Sequence, residues 1–461
     1  MSQSAHPAPA TAASRPSHSG LPESDVSAVV GFVGLFGLIL WLLFCRNYAP
    51  IAEMLDLPGP REPLSGPYAS LAALLFSAGP MIAWSICVDK VHRRPSTGID
   101  WDNPRPIAAI KDVTLVKITG LWATWGIIGF LYGAGRWYWD GSYLFAMDVI
   151  GAAAIPLFVL SIPYVLWIDR VMINPRDHVW HFGAMLLGRE AYDPGEVKKH
   201  WRAWIIKGFF SAFMISILPG GFAYAVTVDT AGIISDPVRF GLLMIQLLFL
   251  IDVQIGTVGY LVTMRPLDAH IRSGNPFLAG WMAALMCYPP VAYAFMSGGM
   301  IAYEINTPGW THWLAGNTPL LYIWAAWLTA LTAFYAWATV AFGLRFSNLT
   351  YRGVLTNGPY RYTRHPAYLS KNTFWWFATL PFLVTSHSMV DVIRNTFFLG
   401  CVSAIYYWRA KTEEAHLLQE DAKYREYHAW MEVNGPITSR LARMKRIFRP
   451  RGPVIQHQPA E

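Results

Sequence analysis

The sequence predicts an all-α fold, a polytopic membrane bundle of about ten transmembrane helices. Three observations carry this. First, 54% of the 461 residues are apolar and only 14% are charged, where a soluble domain is about a quarter charged. Second, apolar stretches of the roughly 20 residues needed to cross a bilayer recur along the chain. Third, Lys and Arg concentrate in alternate loops. The 36 Lys and Arg exceed the 29 Asp and Glu. In such a chain this is the basic excess of cytoplasmic loops, not a nucleic-acid footprint. The four cysteines, Cys45, Cys87, Cys287 and Cys401, are scattered in or beside apolar stretches. They read as packing residues and not as disulfides or metal ligands. No zinc spacing, P-loop or strand-linked GxGxxG is present.

Residues 1–25 read as a disordered tail, because 1–22 are rich in Ala, Pro and Ser and cannot bury a core. Ten spans follow, at about 26–45, 67–88, 113–134, 143–168, 203–228, 238–263, 276–296, 319–344, 372–387 and 391–408. The ninth is short and forms a hairpin with the tenth. The loops after spans 2, 4, 6 and 8, and the tail after span 10, hold most of the basic residues, as in Arg93-Arg94 and Lys198-Lys199. Both termini are therefore expected in the cytoplasm. Residues 26–318 form an N-terminal bundle to which no role is assigned. Residues 319–440 hold the chemistry, and 441–461 form a basic tail patterned as an amphipathic helix.

Some polar features lie inside the apolar segments. Leu218-Pro219-Gly220-Gly221 and Tyr288-Pro289-Pro290 break helix hydrogen bonds at depth, which only neighbouring protein or a cavity satisfies. Asp252 sits mid-span near Gln246 and Gln254. It needs a partner, in a substrate cavity or across a helix pair. Lys117 and Asp148 lie nearer span ends and are assigned nothing. No internal repeat relates the two halves, which weighs against a transporter built from repeats.

Two segments concentrate chemistry. The loop after span 8 reads Thr356-Asn357-Gly358-Pro359-Tyr360-Arg361-Tyr362-Thr363-Arg364-His365-Pro366-Ala367-Tyr368-Leu369. Pro359 and Pro366 fix its backbone, and Arg361, Arg364 and His365 offer donors to an anion. The second segment, Arg409-Ala410-Lys411-Thr412-Glu413-Glu414, follows span 10 and leads to Tyr424 and Tyr427. Arg409 and Glu413 share one helical face at i, i+4. Residues 372–408 suffice for two helices of about 27 Å each, one passage out and one back. The hairpin thus returns the second segment to the membrane face of the first.

GPYRYTRHPAYL followed by RxxxEExxLL and YxxY resembles the isoprenylcysteine carboxyl methyltransferase and phospholipid methyltransferase superfamily, over about 345–440. The resemblance implies an integral membrane enzyme that uses S-adenosylmethionine to methylate a lipid or isoprenoid. It places the cofactor pocket at the cytoplasmic face of the C-terminal helices. It implies cofactor contacts from Tyr360, Arg361, His365, Pro366, Tyr368, Glu413 and Glu414, and catalytic roles for Arg409, Glu413 and Arg364. Val433-Asn434-Gly435-Pro436-Ile437 is similar to the family's closing turn. The chain departs from the pattern at Ser370-Lys371 and at Ala422, where members commonly have glycine at 370 and 422. Glu413 and Glu414 suit the cofactor's ammonium, and Tyr faces suit its sulfonium. Two other readings stand beside this one: an NADPH-dependent sterol-reductase-like membrane enzyme, and a non-enzymatic transporter.

Overall fold

The computed structural model describes residues 20–189, 191–296 and 299–448. The described chain is mostly helical, with one two-residue antiparallel pairing, β1 (Ser273–Gly274) with β2 (Thr350–Tyr351). Seven helices are long and apolar enough to cross a membrane, or eight if the bent pair α1 (Val30–Arg46) and α2 (Tyr48–Met54) is one span. The other long ones are α3 (Pro67–Cys87), α4 (Ile107–Ala134), α5 (Tyr143–Val171), α7 (Pro194–Thr227), α8 (Pro237–Leu261), α12 (Thr318–Phe342) and α14 (Met389–Glu420). A short helix, α6 (His178–Leu187), packs between α4 and α7. The chain is thus a multi-pass helical membrane protein.

The helices start where their sequences say they should. Pro67, Pro194 and Pro237 stand in first turns, where the missing N–H costs nothing. Asp193 and Asp236 accept from the free backbone N–H groups of their helices. Glycine sets the closest approach. A Cβ on Gly31 would meet the Val340 carbonyl at 1.8 Å, and one on Gly37 the Phe76 carbonyl at 2.0 Å. So α1 lies backbone to backbone on α12 and α3, as small residues allow in membrane bundles.

Two expected spans are not single long helices. Residues 276–296 form α9 (Leu278–Leu285) and α10 (Val291–Phe295), parted at Tyr288-Pro289-Pro290, where two prolines remove backbone donors. The ninth span is the 14-residue α13 (Pro366–Thr379), and Leu380 ends it in the left-handed region at φ 50°. Both segments still run the length of the bundle. At one end Asn275 Nδ2 donates to the Thr412 carbonyl at 3.4 Å. At the other, Asn306 Nδ2 donates to Asp391 at 2.9 Å, and Thr307 Oγ1 to the Thr379 carbonyl at 2.8 Å. From residue 391 to 412 on α14 is about 31 Å at 1.5 Å per residue. One further short helix, α11 (Trp310–Trp313), sits beside α12 and α13 at that second end.

The loops at the first end are locked by buried charge. Asp268 takes Arg345 at 2.6 Å, Arg272 at 3.1 Å and Ser96 Oγ at 2.7 Å. Arg352 donates to the carbonyls of Gly259, Leu344, Phe346, Val262 and Ala269, so one guanidinium gathers the end of α8 and the loop after α12. Burial and the nearby Arg345 pull Arg352 down to about 9, which still leaves it charged at neutral pH. Lys117, given no role from the sequence, is buried in α4 and holds Asp169 at 2.5 Å and Asp177 at 3.2 Å. Its partners lie more than fifty residues away, and a span-end reading has no access to them.

The N-terminal tail reading also needs correction. Residues 1–19 lie outside the described residues, but 22–25 are tied down. Asp25 N donates to the Val354 carbonyl at 2.9 Å, Val354 N returns a bond to Asp25 Oδ2 at 2.7 Å, and Lys423 Nζ donates to Oδ1 at 2.7 Å. Thr356 Oγ1 donates to the Pro22 carbonyl. After α14, α15 (Ala422–Asn434) and α16 (Thr438–Phe448) close this end. The amphipathic helix expected in the basic tail is present over the described part of that tail, and 449–461 lie outside it.

Asp25 yields an acid-stability prediction. Burial alone would raise its carboxyl, but the bonds from Lys423 and Val354 and the charges of Lys423 and Arg345 outweigh burial and hold it below the ordinary 3.8. A depressed carboxyl contributes stability above its unfolded pKa and loses it as pH falls through the folded value. Asp25→Asn should therefore cost about 1–3 kcal/mol at pH 7. The gap between variant and wild-type melting in detergent should shrink below pH 3.8.

Candidate functional site

Two helix starts and one helix end build the site. His365-Pro366 begins α13, with proline at the first helical position. Gly358 turns the chain at φ 54°, the left-handed region that favours glycine, into the short 3-10 segment Gly358–Arg361. The last three turns of α14 then bring Arg409, Lys411, Glu413 and Glu414 beside both.

Glu414 is the buried centre of this junction. Its Oε1 lies 2.9 Å from Arg364 Nε and 2.8 Å from His365 Nε2. Its Oε2 pairs with Lys411 Nζ, and His428 Nε2 stands 3.9 Å away. Both oxygens are thus taken by protein cations. Glu414 consequently holds the wall together and does not face the cavity as a cofactor contact, the role expected for it. Arg364 spans further, to Glu432 at 3.5 Å. It lines the cavity, but its charge is already committed.

Glu413, one residue earlier, lines the cavity. Its Oε1 accepts from Tyr368 at 2.5 Å and lies 3.4 Å from Arg409 Nε. Among the described residues no group bonds its Oε2. The Arg409 guanidinium sits over the Tyr288 and Tyr368 rings, 5.4 and 5.1 Å from their centroids. It also donates to Asn348 Oδ1 at 2.5 Å. Asn348 in turn donates to Tyr260 at 2.6 Å and Tyr288 at 2.8 Å. An i, i+4 pair legible in the sequence is therefore held by aromatics from α8 and from the break between α9 and α10.

These groups wall a cavity of about 170 Å³. Tyr360, Arg364, His365, Pro366, Tyr368, Arg409 and Glu413, all expected at the site, line it. Arg361 does not: its side chain is exposed and outside the lining. The 3-10 turn that brings Tyr360 inward points its neighbour out. The lining also includes Tyr288, Tyr335, Lys371, Tyr406, Tyr424 and Tyr427. Burial pushes the Tyr360 and Tyr424 hydroxyls well above their ordinary value, so both stay protonated. Among the described residues no cluster of three or more His, Cys, Asp or Glu could hold a metal, and all four cysteines are free.

Asp252 stands behind this cavity. It accepts from Tyr335 at 2.7 Å and from Thr339, both of which line the cavity. Sequence reasoning found Asp252 but missed Asn348, Tyr335 and Lys371, whose partners come from other helices. The only local signal for Tyr288 was the double proline after it. Comparisons with family models, with curated proteins and with solved structures return no match.

The two adjacent glutamates should separate in a stability assay. Glu414→Gln strips the shared partner from Arg364, His365 and Lys411 and should cost about 3–5 kcal/mol. Glu413→Gln keeps an acceptor for Tyr368 and should cost about 1 kcal/mol or less. Melting of both purified variants in detergent checks the order.

Proposed function

We propose that this protein is an integral membrane methyltransferase that takes its methyl group from S-adenosylmethionine. Its acceptor is a lipid or isoprenoid carrying a carboxylate or an amine, at the cytoplasmic membrane face. One observation carries the reading: an aromatic-walled cavity shared by both sequence motifs and lined by Glu413, whose Oε2 has no partner among the described residues, beside the Arg409 guanidinium. When bound, S-adenosylmethionine supplies a methyl group activated by a sulfonium.

The residues present fit it. Glu413 Oε2 is a site for the cofactor's ammonium, a charge-assisted hydrogen bond. Tyr360, Tyr424 and Tyr427 offer faces to adenine and to a cation. Arg409, held at its Nη2 end by Asn348, serves the acceptor, because its planar fork suits a carboxylate. A carboxylate oxygen is already anionic and attacks the methyl carbon without a base. With an amine acceptor, Glu413 is the group in reach to take the proton. The remaining walls exclude water and align the two reactants.

The reductase-like alternative asks for cations free to hold the phosphates of NADPH. Arg364, the arginine beside His365, is committed to Glu414 and Glu432, so the motif offers no cluster of free cations. That commitment favours the methyltransferase.

We also propose ten membrane passages with both termini cytoplasmic. The loop charges and the joining of residues 22–25 to the C-terminal segment at one end support this. Reporter fusions after residues 308 and 455 should then report opposite sides. For the site, Glu413→Gln should weaken S-adenosylmethionine binding roughly ten- to a hundredfold, the loss of one charge-assisted bond. Arg409→Lys should lower turnover more than cofactor affinity. Glu53→Gln, in the short helix α2 remote from the cavity, should match wild type. Equal cofactor affinity for Glu413→Gln and wild type would overturn the assignment.

A further inference from the structure

One cation lining the cavity, Lys371, has no part in the cofactor reading. On α13, Lys371 lies six residues beyond His365, about 9 Å farther along the helix axis at 1.5 Å per residue. It lines the cavity with Tyr335, Thr339 and Tyr406. Its Nζ stands over three rings, 5.1 Å from the Tyr335 centroid, 5.6 Å from Trp375 and 6.0 Å from Tyr406. Among the described residues it makes no hydrogen bond and no ion pair. An ammonium held this far along a membrane helix without a hydrogen-bonded anion is costly, and such groups mark ligand sites.

Asp252 is the carboxylate placed to neutralise it, yet Asp252 is otherwise employed. Its two oxygens accept the Tyr335 and Thr339 hydroxyls. It offsets the lysine's charge through space and leaves the three ammonium donors unused. Aromatic rings attract a cation but accept no strong hydrogen bond. A cavity wall with one undirected ammonium, ringed by aromatics, is complementary to a small anion attached to an apolar body.

We infer that Lys371 is a specificity-determining residue: it anchors the negatively charged group of an amphiphile that enters the cavity from the bilayer. The inference rests on the methyltransferase reading only for the identity of that amphiphile as the methyl acceptor; the binding itself does not depend on it. The shared chemistry is an anionic group on a long apolar chain, distinct from the carboxylate or amine that is methylated, and a carboxylate and a phosphate both satisfy it. A neutral or cationic head on the same chain does not.

The test uses the full chain in detergent, with decanoate, decyl phosphate, decanol and decylamine as probes and melting temperature as readout. Wild type should be stabilised by decanoate, by decyl phosphate or by both, well beyond decanol and decylamine. A response to one anion alone names the group. Lys371→Met should erase the preference for anions over decanol, and Lys371→Arg should keep it. The same samples are titrated with S-adenosylmethionine. Retained cofactor binding in Lys371→Met, with the anion preference gone, supports the anchor and shows the variant is folded. Equal anion preference in wild type and Lys371→Met overturns the anchor, whatever the cofactor does. Selective anion binding by a wild type that does not bind S-adenosylmethionine keeps the anchor and removes the methyltransferase reading. If Lys371→Met does not fold, Lys371→Gln takes its place under the same criteria.

Discussion

A carboxylate buried at the end of a membrane helix has to be neutralised by groups brought to it, and Glu414 imposes that condition here. The chain meets it with Arg364 and His365 from the start of α13 and with Lys411 from its own helix. Removing one partner from such a set strands charge in a poorly solvated place. The hairpin between residues 366 and 414 is therefore closed electrostatically at its open end. Closing it places Glu413, the preceding residue of α14, against Tyr368. The functional geometry is a by-product of the anchoring geometry, because adjacent residues on a helix point about 100° apart.

The same logic gives the N-terminal bundle a part in the site. Tyr260 and Tyr288 hold Asn348, Asn348 holds Arg409, and Asp252 holds Tyr335 and Thr339 on the cavity wall. Arg352 and Asp268 fasten the intervening loops to α8. The helices before α12 are thus not an inert annex. They supply the second layer that fixes the orientation of the residues facing the cavity.

What the sequence made legible was local or periodic. Long uncharged stretches announced α3, α4, α5, α7, α8, α12 and α14. The i, i+4 spacing paired Arg409 with Glu413, and the length of 372–408 returned them to His365. What stayed hidden was the choice of long-range partners. Lys117 and Asp169, Asp25 and Lys423, and Asp252 and Tyr335 are far apart in sequence, and no periodicity links them. The division of partners between Glu413 and Glu414 was hidden too, since it depends on where the cations sit. The break at Tyr288-Pro289-Pro290 was visible, but not that it lends a ring to Arg409.

The central claim is that the cavity is built for a ligand bearing an ammonium and a sulfonium and not for a dinucleotide phosphate. Calorimetric titration of the intact protein in detergent with S-adenosylmethionine, and separately with NADPH, tests it most directly. We expect saturable one-site binding of S-adenosylmethionine and no heat from NADPH. Binding of NADPH with none of S-adenosylmethionine would contradict the claim.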